Sequence, residues 1–116
     1  MRIVEKAKRQ IAVLSLFGDP LGEPDALQLR EKISGILQQQ IRYVVLDLSE
    51  VRHINSAGLG GLISSMFSML KAEGGLTLAC PRKNVREVFR ITNLDKVFTT
   101  CESVDEAVNS YQTHPA

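Results

Sequence analysis

Apolar and polar positions along the chain alternate in runs of two kinds, short and strand-like or longer with helical spacing. Residues 2–6 and 11–17 are short apolar-rich segments separated by the polar stretch 7–10, which predicts two strands joined as a hairpin. Gly18-Asp19-Pro20-Leu21-Gly22-Glu23-Pro24 is dense in breakers and reads as a loop. Pro24 suits the first turn of a helix, where its missing N–H costs nothing. From there to Gln40, Leu29, Ile33, Ile36 and Leu37 recur at helical spacing. Tyr43-Val44-Val45-Leu46-Asp47-Leu48 is nearly continuous in apolar residues, as a central strand covered on both faces should be. A second helix is expected over residues 57–73, with Gly74-Gly75 as its stop. A strand over 76–80 follows. Val85, Val88 and Phe89 then mark a third helix, with Asn93 as a left-handed cap after Thr92. A brief strand is expected at 97–99. Ser103-Val104-Asp105-Glu106 has the form of a capping box before a last helix ending near Tyr111.

Strands alternating with helices after an opening hairpin predict an α/β fold: one mixed β-sheet with an N-terminal hairpin and about four helices packed against it. The 116 residues fit one domain, expected over 1–112, with 113–116 as a disordered tail. With 44% hydrophobic and 23% charged residues, the composition is that of an ordinary globular protein. The formal charge of +1 gives no electrostatic case for nucleic acid or an anionic membrane surface. Cys80 and Cys101 are too few for a disulfide framework and lack the spacing of a zinc site, so they read as packed thiols and no metal is expected. No apolar stretch is long enough for a membrane span. The N-terminus MRIVEKAKRQ carries charge where a signal peptide has its apolar core, so a cytoplasmic location is expected.

The segment Ile54-Asn55-Ser56-Ala57-Gly58-Leu59-Gly60-Gly61 joins the central strand to the second helix. Ser56 is a good N-cap by residue type, and that structural role could be its whole purpose. Three glycines in the first helical turns go further, because each costs roughly 1 kcal/mol against Ala in a helix. Close backbone approach, to a neighbouring element or to a partner, is the usual compensation. A helix N-terminus also favours negative charge, so a phosphate on Ser56 would sit in a favourable field. Leu59, Leu62, Ile63, Met66, Phe67 and Leu70 predict a buried stripe, opposite a face of Gly61, Ser64, Ser65 and Ser68. Between His53 and Lys71 there is no charged side chain. That neutral face reads as a docking surface for another protein, or else as a helix merely rich in serine.

Val44-Val45-Leu46-Asp47-Leu48-Ser49 followed by Ile54-Asn55-Ser56-Ala57-Gly58-Leu59-Gly60 resembles the STAS domain of bacterial anti-sigma-factor antagonists. Gly74-Gly75, Val85-Arg86-Glu87-Val88-Phe89 and Thr92-Asn93-Leu94-Asp95-Lys96-Val97-Phe98 are similar to the rest of that domain. The resemblance implies partner switching. The serine matching Ser56 is phosphorylated by an anti-sigma factor with serine kinase activity, which the unmodified antagonist binds, and a PP2C-type phosphatase resets the cycle. Together with the neutral helix face, it gives expected partner contacts at Asp19, Asn55, Ser56, Ala57, Gly58, Gly60, Gly61, Ser64, Ser65 and Ser68, and no cofactor is expected. Asn55 stands where the family usually has Asp, and Ala57 where a second hydroxyl is common. The Gly18-to-Asp25 loop departs from the family's usual pattern and is about one residue longer. Some relatives act as adaptor or scaffold subunits without a phosphorylation cycle.

Other readings are weaker on the residues. Ser56 is not in a Gly-x-Ser-x-Gly elbow, and His53 and His114 are poorly placed as bases for a hydrolase. His53 reads as a polar strand-end or loop residue. Gly58-Leu59-Gly60-Gly61 lacks the Lys-Ser/Thr of a phosphate-binding loop, although a nucleotide module using this helix end is a further alternative. The expectation is a binding domain, not an enzyme.

Overall fold

A computed structural model describes residues 2–8, 10–18 and 22–112. Asp19 and the tail 113–116, both singled out above, lie outside the described residues.

The elements follow one another as β1 (Arg2–Lys8), β2 (Ile11–Gly18), α1 (Glu23–Gln38), β3 (Tyr43–Val51), α2 (Ser56–Lys71), β4 (Gly75–Ala79), α3 (Lys83–Ile91), a 3₁₀ turn (Leu94–Lys96), β5 (Thr99–Cys101) and α4 (Val104–Gln112). One sheet has the order β1-β2-β3-β4-β5. β1 pairs antiparallel with β2, Arg2 opposite Phe17 and Lys8 opposite Ile11, which is the expected hairpin. Every other pairing is parallel, so the sheet is mixed as expected.

Strand alternation divides the interior in two. Leu14, Leu16, Val44, Leu46, Leu48, Leu76 and Leu78 face a large core shared with Leu29 and Ile33 of α1, Leu62 and Met69 of α2, and Phe89 of α3. Ile11, Val13, Val45 and Ala79 face a smaller core closed by Ala107 and Val108 of α4. β3 is therefore covered on both faces, which accounts for its unbroken apolar run. Each fully buried Leu, Ile or Phe side chain contributes roughly 1.5–3 kcal/mol, so this sandwich is the source of the fold's stability.

The last strand and the stop of α2 show how local geometry departs from the sequence pattern. The last strand begins at Thr99, not Val97, because Leu94–Lys96 forms a 3₁₀ turn and the Phe98 amide donates to the Leu94 carbonyl at 2.9 Å. Phe98 is thereby turned into the core against Phe89, ring centroids 5.5 Å apart. The α2 stop is where Gly74-Gly75 placed it, but the left-handed residue is Glu73 (φ 62°). The Gly74 amide donates to Met69 and the Glu73 amide to Leu70, the paired bonds of a Schellman motif. Gly74 is required for a different reason: a Cβ there would lie 1.8 Å from the Arg42 carbonyl oxygen. Asn93 is left-handed (φ 61°) after Thr92, as expected. Ser103 Oγ accepts from the Glu106 amide at 3.0 Å and caps α4.

Candidate functional site

α2 begins just past the carboxyl end of β3, where a parallel sheet sends its loops to one edge. The capping residue is Asn55, not Ser56. Asn55 is extended (φ −108°), and its side-chain oxygen accepts from the Gly58 amide at 3.0 Å. Asn and Ser cap about equally well, so residue type could not decide between neighbours. Ser56 is the first helical residue, and it is exposed. Its hydroxyl takes no part in the cap.

The N-terminus of α1 lies against this cap. A Cβ on buried Gly22 would be 3.1 Å from Asn55 Nδ2. The Gly22 amide donates to Asp25 Oδ2 at 2.8 Å. Burial pushes the Asp25 carboxyl up, but that amide bond is among the contacts that leave it below its ordinary value. On the other side, the Arg82 Nε donates to the Ser49 carbonyl at 2.8 Å, and Asn84 Nδ2 donates to the Arg52 carbonyl. The β3–α2 loop is thus pinned from both flanks, and Ser56 is presented on a fixed edge. His53, in this loop, is exposed.

The small-residue face of α2 is not the open surface expected of it. Gly61 is buried, and a Cβ there would lie 2.7 Å from the Ala26 Cβ and 2.9 Å from the Ala26 Cα. Ser65 is fully buried, its hydroxyl donating to the Gly61 carbonyl at 2.8 Å. Ser64 and Ser68, one helical turn apart, are half-buried on the same flank. Gly61 is small because α1 and α2 pack closely there, with Ala26 against it. The small face is a helix–helix seam, and Gly61 and Ser65 are withdrawn from any outside partner. Gly58 is buried beneath the cap, and Ala57 is half-buried.

The expected buried stripe is corrected by the same rotation. Leu62, Met66 and Met69 are buried, whereas Phe67 is 55% and Leu70 51% exposed. With Leu59 and Ile63 half-buried, the accessible line of the helix runs Ser56, Gly60, Ile63, Phe67, Leu70. This line is neutral and apolar. Among the described residues, and apart from its own helix backbone and chain neighbours, nothing lies within 4 Å of a would-be Cβ on Gly60. Of the expected contact residues, Asn55, Ser56 and Gly60 are exposed together at one end of that line. Phe67 and Leu70 fall outside the expected contact residues because helical spacing alone assigns all six apolar side chains to the core. Their signal was the absence of charge around them.

Among the described residues, no group of His, Cys, Asp and Glu could hold a metal ion, and no helix is long and apolar enough to cross a membrane.

Residues 3–107 match the model of the STAS domain family. A protein of Bordetella bronchiseptica described as an anti-sigma factor antagonist, BtrV, is 30% identical over 89 residues, 77% of each chain. The crystal structure of a Thermotoga maritima protein described in the same way, TM1081, superposes with a TM-score of 0.83 at 22% identity, covering 95% of this chain and 94% of that one. The Bacillus antagonist SpoIIAA superposes in its unphosphorylated form with a TM-score of 0.77 at 21% identity, covering 97% and 100%. Its phosphorylated form gives 0.72 at 22% identity, covering 95% and 99%. The order of elements, the pinned β3–α2 loop and these matches lead to one assignment: the chain belongs to the STAS domain family.

Proposed function

We propose that this domain is an anti-sigma-factor antagonist that switches partners through Ser56. Unphosphorylated, it binds an anti-sigma factor with serine kinase activity along the neutral line from Ser56 to Leu70. Phosphorylation of Ser56 releases that partner, and a PP2C-type phosphatase restores binding. The observation that carries the reading is the division of labour at residues 55 and 56. Asn55 satisfies the cap, so Ser56 can be modified without dismantling the start of α2.

A phosphate there adds roughly −1.5 to −2 charges beside the first-turn amides, a position the helix end favours. Asn55 is neutral, so no carboxylate on the cap opposes it. For an apolar partner surface pressed on Gly60 and Phe67, the same charge is costly to desolvate. The modification is therefore tolerated by the domain and rejected by the complex. Kinship to BtrV, and the existence of SpoIIAA in both phosphorylated and unphosphorylated forms, support the assignment.

The test uses the purified domain, an anti-sigma serine kinase encoded beside its gene, and ATP. One phosphate should appear at Ser56 by mass spectrometry and none on Ser56→Ala. Calorimetry should give tight kinase binding for wild type and a loss of at least tenfold for Ser56→Asp. An unmodified Ser56, or equal binding by wild type and Ser56→Asp, refutes the switch and leaves a non-switching adaptor.

A further inference from the structure

The two cysteines pack on the α4 side of the sheet, and nothing in partner switching uses them. Ala79, the last residue of β4, is in register with Cys101 of β5, so both side chains point to the face covered by α4. Simple alternation would send Cys80 to the opposite face. Instead, Cys80 is left-handed (φ 56°), a conformation uncommon outside Gly, Asn and Asp. That turn brings its side chain back, and both thiols pack in the smaller core beside Val104 and Tyr111. The Cys80 amide donates to the Cys101 carbonyl at 3.0 Å. Residues joined in this way have Cα atoms within the span of about 4.4–6.8 Å that a disulfide bridges. Both thiols are free and half-buried, within reach of a small oxidant.

We propose that Cys80 and Cys101 are a redox pair that closes to an intramolecular disulfide when the domain meets a peroxide. The Cys80 thiolate attacks one oxygen of hydrogen peroxide, the O–O bond breaks, and the departing hydroxide takes the thiol proton as water. Cys80 is then a sulfenic acid. The Cys101 thiolate attacks its sulfur, the S–O bond breaks, the S–S bond forms, and a second water leaves with the second proton. Two thiols lose two electrons and the peroxide becomes two waters. Either thiol can be oxidised first, and the balance is the same with the two residues exchanged. Burial raises both thiols; at Cys80 the charge of Asp47 adds to this and the Val104 amide at the start of α4 opposes it. At Cys101 the Glu106 carboxylate reinforces the rise. The closed bond ties the ends of the segment that contains α3 and the 3₁₀ turn, joining β4 to β5 covalently at the sheet edge.

The experiment treats the folded, reduced full chain with hydrogen peroxide, blocks remaining thiols by alkylation, and maps tryptic peptides without reductant. The expected product is a monomer lighter by two hydrogens, in which the peptide ending at Arg82 is linked to the one following Lys96. Dithiothreitol should reverse it. Its melting temperature should exceed that of the reduced chain, and neither Cys80→Ser nor Cys101→Ser should show that rise. Overoxidation of single cysteines without the cross-link, or disulfides only between chains, overturns the proposal. Both outcomes are read on the wild type alone, so an unstable serine variant does not obscure the result.

Discussion

Replacing Gly61 by Ala tests whether α2's small face is a seam or an open surface. The new methyl would sit 2.7 Å from the Ala26 Cβ and 2.9 Å from the Ala26 Cα, well inside contact distance. The obstruction is short side chain and backbone, so no flexible tip can swing away, and α1 and α2 must separate by about an ångström to reach ordinary contact near 3.5–4.0 Å. Overpacking of this kind costs typically about 1–3 kcal/mol, and the rigid neighbour argues for the upper end. Against it stands the gain of about 1 kcal/mol from removing a glycine from a helix. The net expectation is a loss of about 2 kcal/mol, a fall in the urea midpoint of about 1 M. Gly60→Ala supplies the contrast, since a methyl there meets nothing within 4 Å. It should gain up to about 1 kcal/mol in the free domain. Urea unfolding followed by circular dichroism measures both. Equal, favourable shifts for the two substitutions would refute the seam and return Gly61 to the proposed docking surface.

Asn55→Ala removes the side-chain bond to the Gly58 amide and should cost about 1 kcal/mol by the same assay, while Asn55→Asp keeps the cap and should cost little. Gly74→Ala places a Cβ 1.8 Å from the Arg42 carbonyl oxygen and should cost about 3 kcal/mol or more, visible as a large drop in soluble yield and thermal midpoint. Burial pushes the Tyr111 phenol above its ordinary value, outweighing the opposing hydrogen bond to Thr77. Its neutral form is favoured by folding, so this contribution is complete below the unfolded value of about 10 and is lost as pH rises from there through the higher folded value. Urea midpoints at increasing alkaline pH should fall in that window, and the fall should be smaller for Tyr111→Phe.

Much of the fold was legible because strands buried on one or both faces leave a strong pattern. Val44, Leu46 and Leu48 go to one core and Val45 to the other, so the run at 43–48 could be nothing but a central strand in this context. The 3₁₀ turn was not legible. Val97 and Phe98 have strand-like side chains, yet Phe98 is placed by a bond to Leu94 and by packing on Phe89, a tertiary contact no local pattern encodes. Glu73 illustrates the same limit from the other side: two glycines marked the stop, while the left-handed turn fell on the residue before them.

The proposed site is legible in the sequence in position but not in rotation. The missing charge around α2 located a face that water alone does not explain, but residue size pointed to the wrong side of the helix. Small residues on a helix have two causes, a partner outside the domain or a neighbouring helix within it, and a single sequence weighs them equally. Only the Gly61–Ala26 approach separates them here. Once Gly61 and Ser65 belong to α1, the charge-free character of α2 must be explained by what is left exposed, namely Ser56, Gly60, Ile63, Phe67 and Leu70. A phenylalanine and a leucine, each about half exposed, lie on the same line as Ser56, so charge added at that serine acts at the edge of the surface a partner would have to dry. Under the proposed function, correcting the rotation shifts the docking residues to the apolar line while leaving Ser56 at its end.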